Sequence, residues 1–328
     1  MKRFLLHIGA GKTGTSAIQS QLAINRKILA EKGWYYPEAL TDEKALNHRI
    51  TSGNAIEFGK MLKNENFNEK IFKKSLHEML KNARGRNVLL SSELMETYDE
   101  ELGRKLKERL SSYGYELEIV YYVRAIADHL VSMYHQLVKR HLYTGSLKDM
   151  LNIYYKQNLE YKFIRIIKKS EAIVGQDRLK IKNYDRVKDR IVEDFLRDVL
   201  NIDDISPFNI EKKKINRSLT RYELSMMRYM NRFLERNGHS AFVSDALIQN
   251  HPNASYRMTI ERVDAKRLEK KYAADIKKLE EYLDENEKPL RVIEDLQLIE
   301  KEREMEFNNF QESIMSIISE LVKELKKS

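Results

Sequence analysis

The sequence predicts an α/β protein: a parallel sheet flanked by helices, followed by a mostly helical C-terminal half. Two observations carry this. Short apolar runs at 3–8, 87–91 and 116–123, with a fourth at 178–184, have strand length, and each is followed by a helical pattern. Strands that alternate with helices form parallel sheets covered on both faces. The composition agrees, since 42% hydrophobic and 33% charged residues with only 12 glycines and 4 prolines in 328 describe a folded, helix-rich chain. In such sheets ligands bind beyond the carboxyl ends of the strands, so chemistry is sought there.

The opening stretch MKRFLLHIGAGKTG has two basic residues and a short apolar patch, but His7 and Lys12 interrupt it and no small-residue cleavage site follows. It reads as a first strand, and the expected address is the cytoplasm. Residues 15–31 carry Ile18, Leu22, Ile28 and Leu29 at helical spacing, with Gly33 placed to end that helix. After the third strand, Ile126, Leu130, Met133, Leu137 and Val138 mark a second amphipathic helix. Further helices are expected near 147–170, 186–200, 219–237 and 260–285, with a loop at 201–214 where Pro207 and the run Lys212 to Lys214 break periodicity. The last segment spaces Phe307, Phe310, Ile314, Ile317, Leu321 and Leu325 by three and four, one apolar stripe on a charged helix. The chain therefore divides into an α/β domain with helical additions over 1–285 and an amphipathic helix over 286–328. The stripe suits a homodimer seam or a face packed back onto the chain's own body, and both remain open.

Several function classes drop out. The absence of cysteine excludes a disulfide scaffold, a cysteine nucleophile and Cys-ligated metal or redox centres. No uncharged apolar stretch approaches the ~20 residues a membrane helix needs. The net charge of +9 is uneven, −4 over residues 261–328 and +13 before them. That surplus suits an anionic ligand, although a solvated lysine-rich surface explains it equally simply.

The most informative stretch lies between the first strand and the first helix: His7-Ile8-Gly9-Ala10-Gly11-Lys12-Thr13-Gly14-Thr15-Ser16. A glycine-rich turn there presents backbone N–H groups at a helix N-terminus, whose partial positive charge favours an anion. Lys12 adds a full charge, and Thr13, Thr15 and Ser16 add hydroxyls. Gly11-Lys12-Thr13 fits the end of the nucleotide-binding pattern GxxxxGK[ST], but Leu6 stands where the leading glycine belongs, and no hydrophobic run ending in a magnesium-binding Asp is evident. The sheet is thus P-loop-like without the full motif.

The form KTGTS resembles the 5′-phosphosulfate loop of sulfotransferases that use 3′-phosphoadenosine 5′-phosphosulfate (PAPS), in particular bacterial and carbohydrate-type members. The resemblance implies that Gly11, Lys12, Thr13, Gly14, Thr15 and Ser16 hold the 5′-phosphate and the sulfuryl group. A second motif agrees with it. Arg124 ends the third strand and Ser132 follows eight residues on, the spacing with which the family binds the 3′-phosphate; Ala125-Ile126 departs from the family's usual turn. A later segment, Asn216-Arg217-Ser218, resembles an Asn-x-Ser stretch of bacterial members and is a candidate nucleotide contact, with Ser218 also a candidate N-cap before Leu219. The resemblance covers residues 3–240 in element order.

Sulfuryl transfer needs a base for the acceptor proton and a cation for the departing phosphate. Lys12 suits the second task. Glu93, in Ser91-Ser92-Glu93 at the end of the second strand, is the first candidate base, with desolvation expected to raise its pKa and Lys12 to lower it. His48 is the rival, and His7 is expected to be a packed core residue. Trp34, Tyr35, Tyr36 and Lys139 are candidates to line an acceptor site for a sugar or a flat phenol. No His, Asp or Glu cluster has metal-ligand spacing, so no metal is expected; neither is nucleic acid. The expected activity is a PAPS-dependent transfer of a sulfuryl group to a hydroxyl of a carbohydrate or glycolipid. The alternatives are a kinase or NTPase using ATP and magnesium, and a non-catalytic helical interaction protein.

Overall fold

The computed structural model describes residues 1–39, 42, 53–63, 67–156, 162–210, 217–234, 239–254, 258, 260–293, 311, 313, 314 and 317. They form two compact units. The first comprises residues 1–124, 160–215 and 272–290; the second comprises 125–159, 216–271 and 291–328.

The first unit is built on a five-stranded, all-parallel sheet in the order β2-β3-β1-β4-β5. Its strands are β1 Lys2–Ile8, β2 Trp34–Tyr35, β3 Asn87–Ser92, β4 Tyr115–Val123 and β5 Leu179–Asn183. The four runs expected from the sequence are β1, β3, β4 and β5. β1 lies at the centre, and its residues 4–8 are all buried, as a strand covered on both faces requires. On one face, Leu5, Leu89, Val120 and Tyr122 pack against Ile18 and Leu22 of helix α1 (Thr15–Ile24) and against Ile191, Phe195 and Leu196.

A second set of helices completes this unit. They are α2 (Arg26–Glu31), α3 (Ile56–Met61), α4 (Glu69–Ala83), α5 (Glu100–Ser112) and, later in the chain, α8 (Lys162–Val174). Phe58 of α3 stacks between Phe4 and Phe72, and Phe163 of α8 meets Tyr121 at 5.7 Å between ring centroids. Asn68 accepts from Lys70 N and Ile71 N to cap α4, which buries Phe72, Leu76, Leu80 and Ala83 at helical spacing. Asp99 caps α5 in the same way through Leu102 N.

Local chemistry divides two of the expected helices. The helix over 15–31 is split at Asn25, whose amide donates to Gln21 O and Asn209 O and accepts from Asn209 N. An Asn side chain that binds backbone in this way competes with helix continuation. Gly33 ends α2 as expected, with φ 83°. The helix expected near 186–200 is a succession of short turns instead: α9 (Tyr184–Val187), α10 (Ile191–Asp194) and a π-helical turn at Phe195–Val199.

The second unit is helical. It contains α6 (Ile126–Arg140), α7 (Leu147–Lys156), α11 (Arg221–Met230) and α12 (His239–Asn250), while α13 (Arg262–Glu280) carries the chain across the division after Lys271. Arg140 holds Asp245 with Nη1 and Nη2, and Asn231 Nδ2 donates to Val138 O and Tyr143 O. The cap of α11 is Thr220 rather than Ser218. Thr220 Oγ1 accepts from Glu223 N while Glu223 Oε2 accepts from Thr220 N, a reciprocal capping box that Ser218, two residues earlier, is placed too soon to make. Most of the C-terminal stripe lies outside the described residues.

Candidate active site

The sheet register brings three chain segments to one level. Ile8 of β1 lies opposite Ser92 of β3 on one side and Tyr121 of β4 on the other. The chain leaves β1 into the glycine-rich loop, β3 into Glu93 and β4 into Arg124, so the three candidate segments emerge side by side at the carboxyl edge.

The loop is closed by its own side chains. Thr13 Oγ1 and Thr15 Oγ1 both donate to Ala10 O, at 2.8 and 3.1 Å, and Thr13 N reaches the same oxygen at 3.3 Å. Both threonines are buried, whereas Gly11, Lys12, Gly14 and Ser16 are half-buried. Three donors on one carbonyl turn the chain tightly enough to place Lys12 and Gly14 in the left-handed region, φ 73° and 76°. Gly14 fits because a side chain there meets Ile191 and Tyr184, and Gly9 fits because a Cβ would stand 2.5 Å from Thr15 and 3.1 Å from Glu93. At Gly11 a Cβ meets nothing within 4 Å, so the loop is open on that side. Lys12 is a non-glycine residue in that region, and strain at such a residue concentrates where function holds it.

Arg124 joins this loop. Its Nη1 donates to Lys12 O at 3.0 Å, its Nε lies 3.4 Å from Asp185 Oδ1, and its guanidinium lies over the Tyr184 ring at 5.1 Å. Two segments 112 residues apart are thereby held as one arrangement.

Glu93 begins a 3₁₀ turn over Glu93–Thr97, which Ser92 Oγ caps by accepting from Leu94 N at 3.2 Å. Its side chain keeps contact with solvent, yet surrounding protein atoms desolvate the carboxylate enough to raise its pKa. Lys12 pulls that pKa down, Glu96 pushes it up and Lys162 pulls it down; desolvation outweighs the rest. Glu96, Lys162, Tyr184 and Asp185 were not singled out from the sequence. They sit in a turn and in helices with no motif of their own, and only the chain fold brings them to this edge.

Other expected site residues lie elsewhere. His48 and Asn216 fall outside the described residues. Ser132 is half-buried on α6 and belongs to the second unit, with Arg217 and Ser218. Arg217 is buried, and its N–H groups go to Glu223 at 2.7 and 2.8 Å and to the carbonyls of His251, Leu247 and Ser218. These bonds engage all five of its donors within the fold. Ser218 is exposed. His7 is fully buried with Nδ1 2.8 Å from Ser91 Oγ, and burial lowers its pKa to about 3. Trp34 and Tyr36 are sealed in the core, with Trp34 Nε1 donating to Leu200 O, and Lys139 is buried in the second unit. The two aromatics therefore do not line an acceptor site.

Among the described residues there is no cluster of three or more carboxylate or imidazole side chains able to hold a metal, and no helix long and apolar enough to cross a membrane. No family model matches the chain, and no curated protein matches it. Solved structures similar to the chain include a sulfotransferase from Alicyclobacillus acidocaldarius, with a TM-score of 0.42 and 15% identity over 86% of this chain and 95% of that one.

Proposed function

We propose that this protein is a sulfotransferase that moves a sulfuryl group from PAPS to a hydroxyl of a carbohydrate or glycolipid. The observation that carries the reading is the KTGTS turn between β1 and α1, with Arg124 bonded to the Lys12 carbonyl. The turn offers backbone N–H groups at a helix N-terminus together with a lysine, and the open side at Gly11 leaves room for an anion. PAPS supplies the sulfuryl group and a phosphate leaving group. Lys12 neutralises charge on the phosphate oxygen as its bond to sulfur breaks. Glu93 takes the acceptor's hydroxyl proton as the new oxygen–sulfur bond forms, and a pKa raised above the ordinary carboxylate value suits that task. Arg124, at the end of β4, is assigned to the 3′-phosphate.

The test is binding. Adenosine 3′,5′-bisphosphate, AMP, and ATP with magnesium are compared by thermal shift and calorimetry. A ligand at 100 times its Kd stabilises the fold by about 2.7 kcal/mol, so the true class is visible as a rise in Tm. The bisphosphate is expected to give the largest shift, and transfer is expected to survive EDTA. Stabilisation by ATP and magnesium but not by the bisphosphate overturns the reading in favour of a kinase or NTPase.

A further inference from the structure

The turn that carries Glu93 carries a second carboxylate. In a 3₁₀ helix, residues three apart eclipse one another, and Glu96 stands three after Glu93 in the turn Glu93–Thr97. Glu96 is firmly held. Its Oε1 accepts from the buried Tyr121 hydroxyl at 2.7 Å, and its Oε2 pairs with Lys162 Nζ at 2.6 Å. The backbone of the turn is tied down as well, since Lys169 Nζ donates to Glu96 O at 3.3 Å and to Tyr98 O at 2.8 Å, and the Tyr98 hydroxyl meets Ser170 Oγ at 3.0 Å. Four side chains thus hold this short turn and the residue that follows it through five bonds, three of the side chains from α8 and one from β4. A surface loop that merely connects β3 to α5 has no need of such a clamp.

We infer that Glu96 is a positioning residue for Glu93: clamped between Tyr121 and Lys162, it sets the charge around the Glu93 carboxylate and so the pH above which that carboxylate accepts a proton. The inference rests on the base role proposed for Glu93. Three charged groups act on the Glu93 carboxylate. Lys12 comes from the loop after β1, Glu96 from its own turn and Lys162 from the start of α8, while Glu57 and Lys60 on neighbouring α3 pair with each other at 2.8 Å. Glu96 adds a like charge that disfavours the ionised form of Glu93, and Lys162 adds an opposite charge that favours it. The pair is thus a fixed dipole beside the base, with its two ends acting in opposite senses.

Those opposite senses make the test decisive. The Glu93 carboxyl is titrated by ¹³C NMR in the wild type, Glu96→Gln and Lys162→Gln, with Glu93→Gln used to assign its resonance. Glu96→Gln is expected to move the Glu93 midpoint down, and Lys162→Gln to move it up, each by about half to one pH unit. The acid limb of the turnover profile should follow in the same directions. Glu96→Asp keeps the charge and is expected to leave the midpoint near its wild-type value, which separates electrostatics from damage to the turn. Midpoints that stay put in both variants, or that move in the same direction, overturn the inference. NMR midpoints that move oppositely while the acid limb of turnover stays still uphold the role of Glu96 and overturn instead the assignment of Glu93 as base.

Discussion

Arg124 Nη1 donates to the carbonyl oxygen of Lys12 at 3.0 Å. This hydrogen bond makes the end of β4 part of the glycine-rich loop, so the two segments assigned to the two phosphates of one nucleotide share a frame. The planar fork of a guanidinium suits phosphate.

Removing Arg124 should therefore have two effects of unequal size. Loss of a charge-assisted hydrogen bond costs about 1.5–3 kcal/mol, or roughly 10- to 150-fold in affinity, and Arg124→Ala is expected to lose that much for adenosine 3′,5′-bisphosphate. AMP should lose less, through loosening of the loop alone. Calorimetry with both ligands measures this, and equal losses for both nucleotides would remove the assignment to the 3′-phosphate.

Lys12 holds a left-handed backbone that glycine adopts without strain. Lys12→Gly is accordingly expected to be more stable than Lys12→Ala by about 1 kcal/mol in denaturant unfolding, because a Cβ in that region is penalised by about that amount. Both variants should fold and neither should transfer sulfuryl groups. Normal turnover in either one would exclude Lys12 from the chemistry.

For Glu93, replacement by Gln keeps the shape and removes the basic site. Turnover should fall about 10²- to 10⁴-fold with nucleotide affinity nearly unchanged. Because desolvation raises the Glu93 pKa, wild-type activity should decline on the acid side at a pH above the ordinary carboxylate midpoint. An active Glu93→Gln enzyme beside a dead His48→Ala enzyme would transfer the role to His48.

Buried His7 links folding to pH. Its folded-state pKa of about 3 lies below the ordinary 6.5, so the unfolded chain binds a proton that the folded one refuses between those values. Its contribution to stability is full above pH 6.5 and is lost as pH falls toward 3, at up to about 1.4 kcal/mol per pH unit. Urea unfolding across that window should show a slope smaller by up to one proton in His7→Gln than in the wild type. An unchanged slope would mean that His7 protonates in the folded state.

The sheet was legible in the sequence because β1, β3, β4 and β5 are each long enough to show an apolar run, and the loop was legible because glycine, lysine and threonine are compressed into five residues. β2 was missed for the opposite reason. Two residues, Trp34 and Tyr35, carry no period, and their aromatic character suggested a binding surface, whereas Trp34 fills the core beneath α1. The cap at Thr220 was misread because Ser218 and Thr220 are both good caps, and only the return bond from Glu223 decides between them. Glu96 was invisible because its importance lies in partners from β4 and α8, brought together by the fold alone.

The last described part of the first unit has a consequence for how the chain is made. Lys182, at the sheet's β5 edge, is buried with Asp194 at 3.1 Å and Glu287 at 2.5 Å, and Glu287 also accepts from the backbone N–H of Asn183. Removing one partner of such a buried pair costs about 3–5 kcal/mol. On the ribosome, β5 emerges about a hundred residues before the carboxylate that completes its surroundings. The edge of the sheet must wait, half-finished, through the synthesis of residues 216–271 of the second unit. A nascent or truncated chain ending at 285 carries every strand and the whole phosphate loop, yet it lacks the glutamate that seals the last strand. Such fragments should be recovered with β5 open to protease while β1 and β3 are already protected.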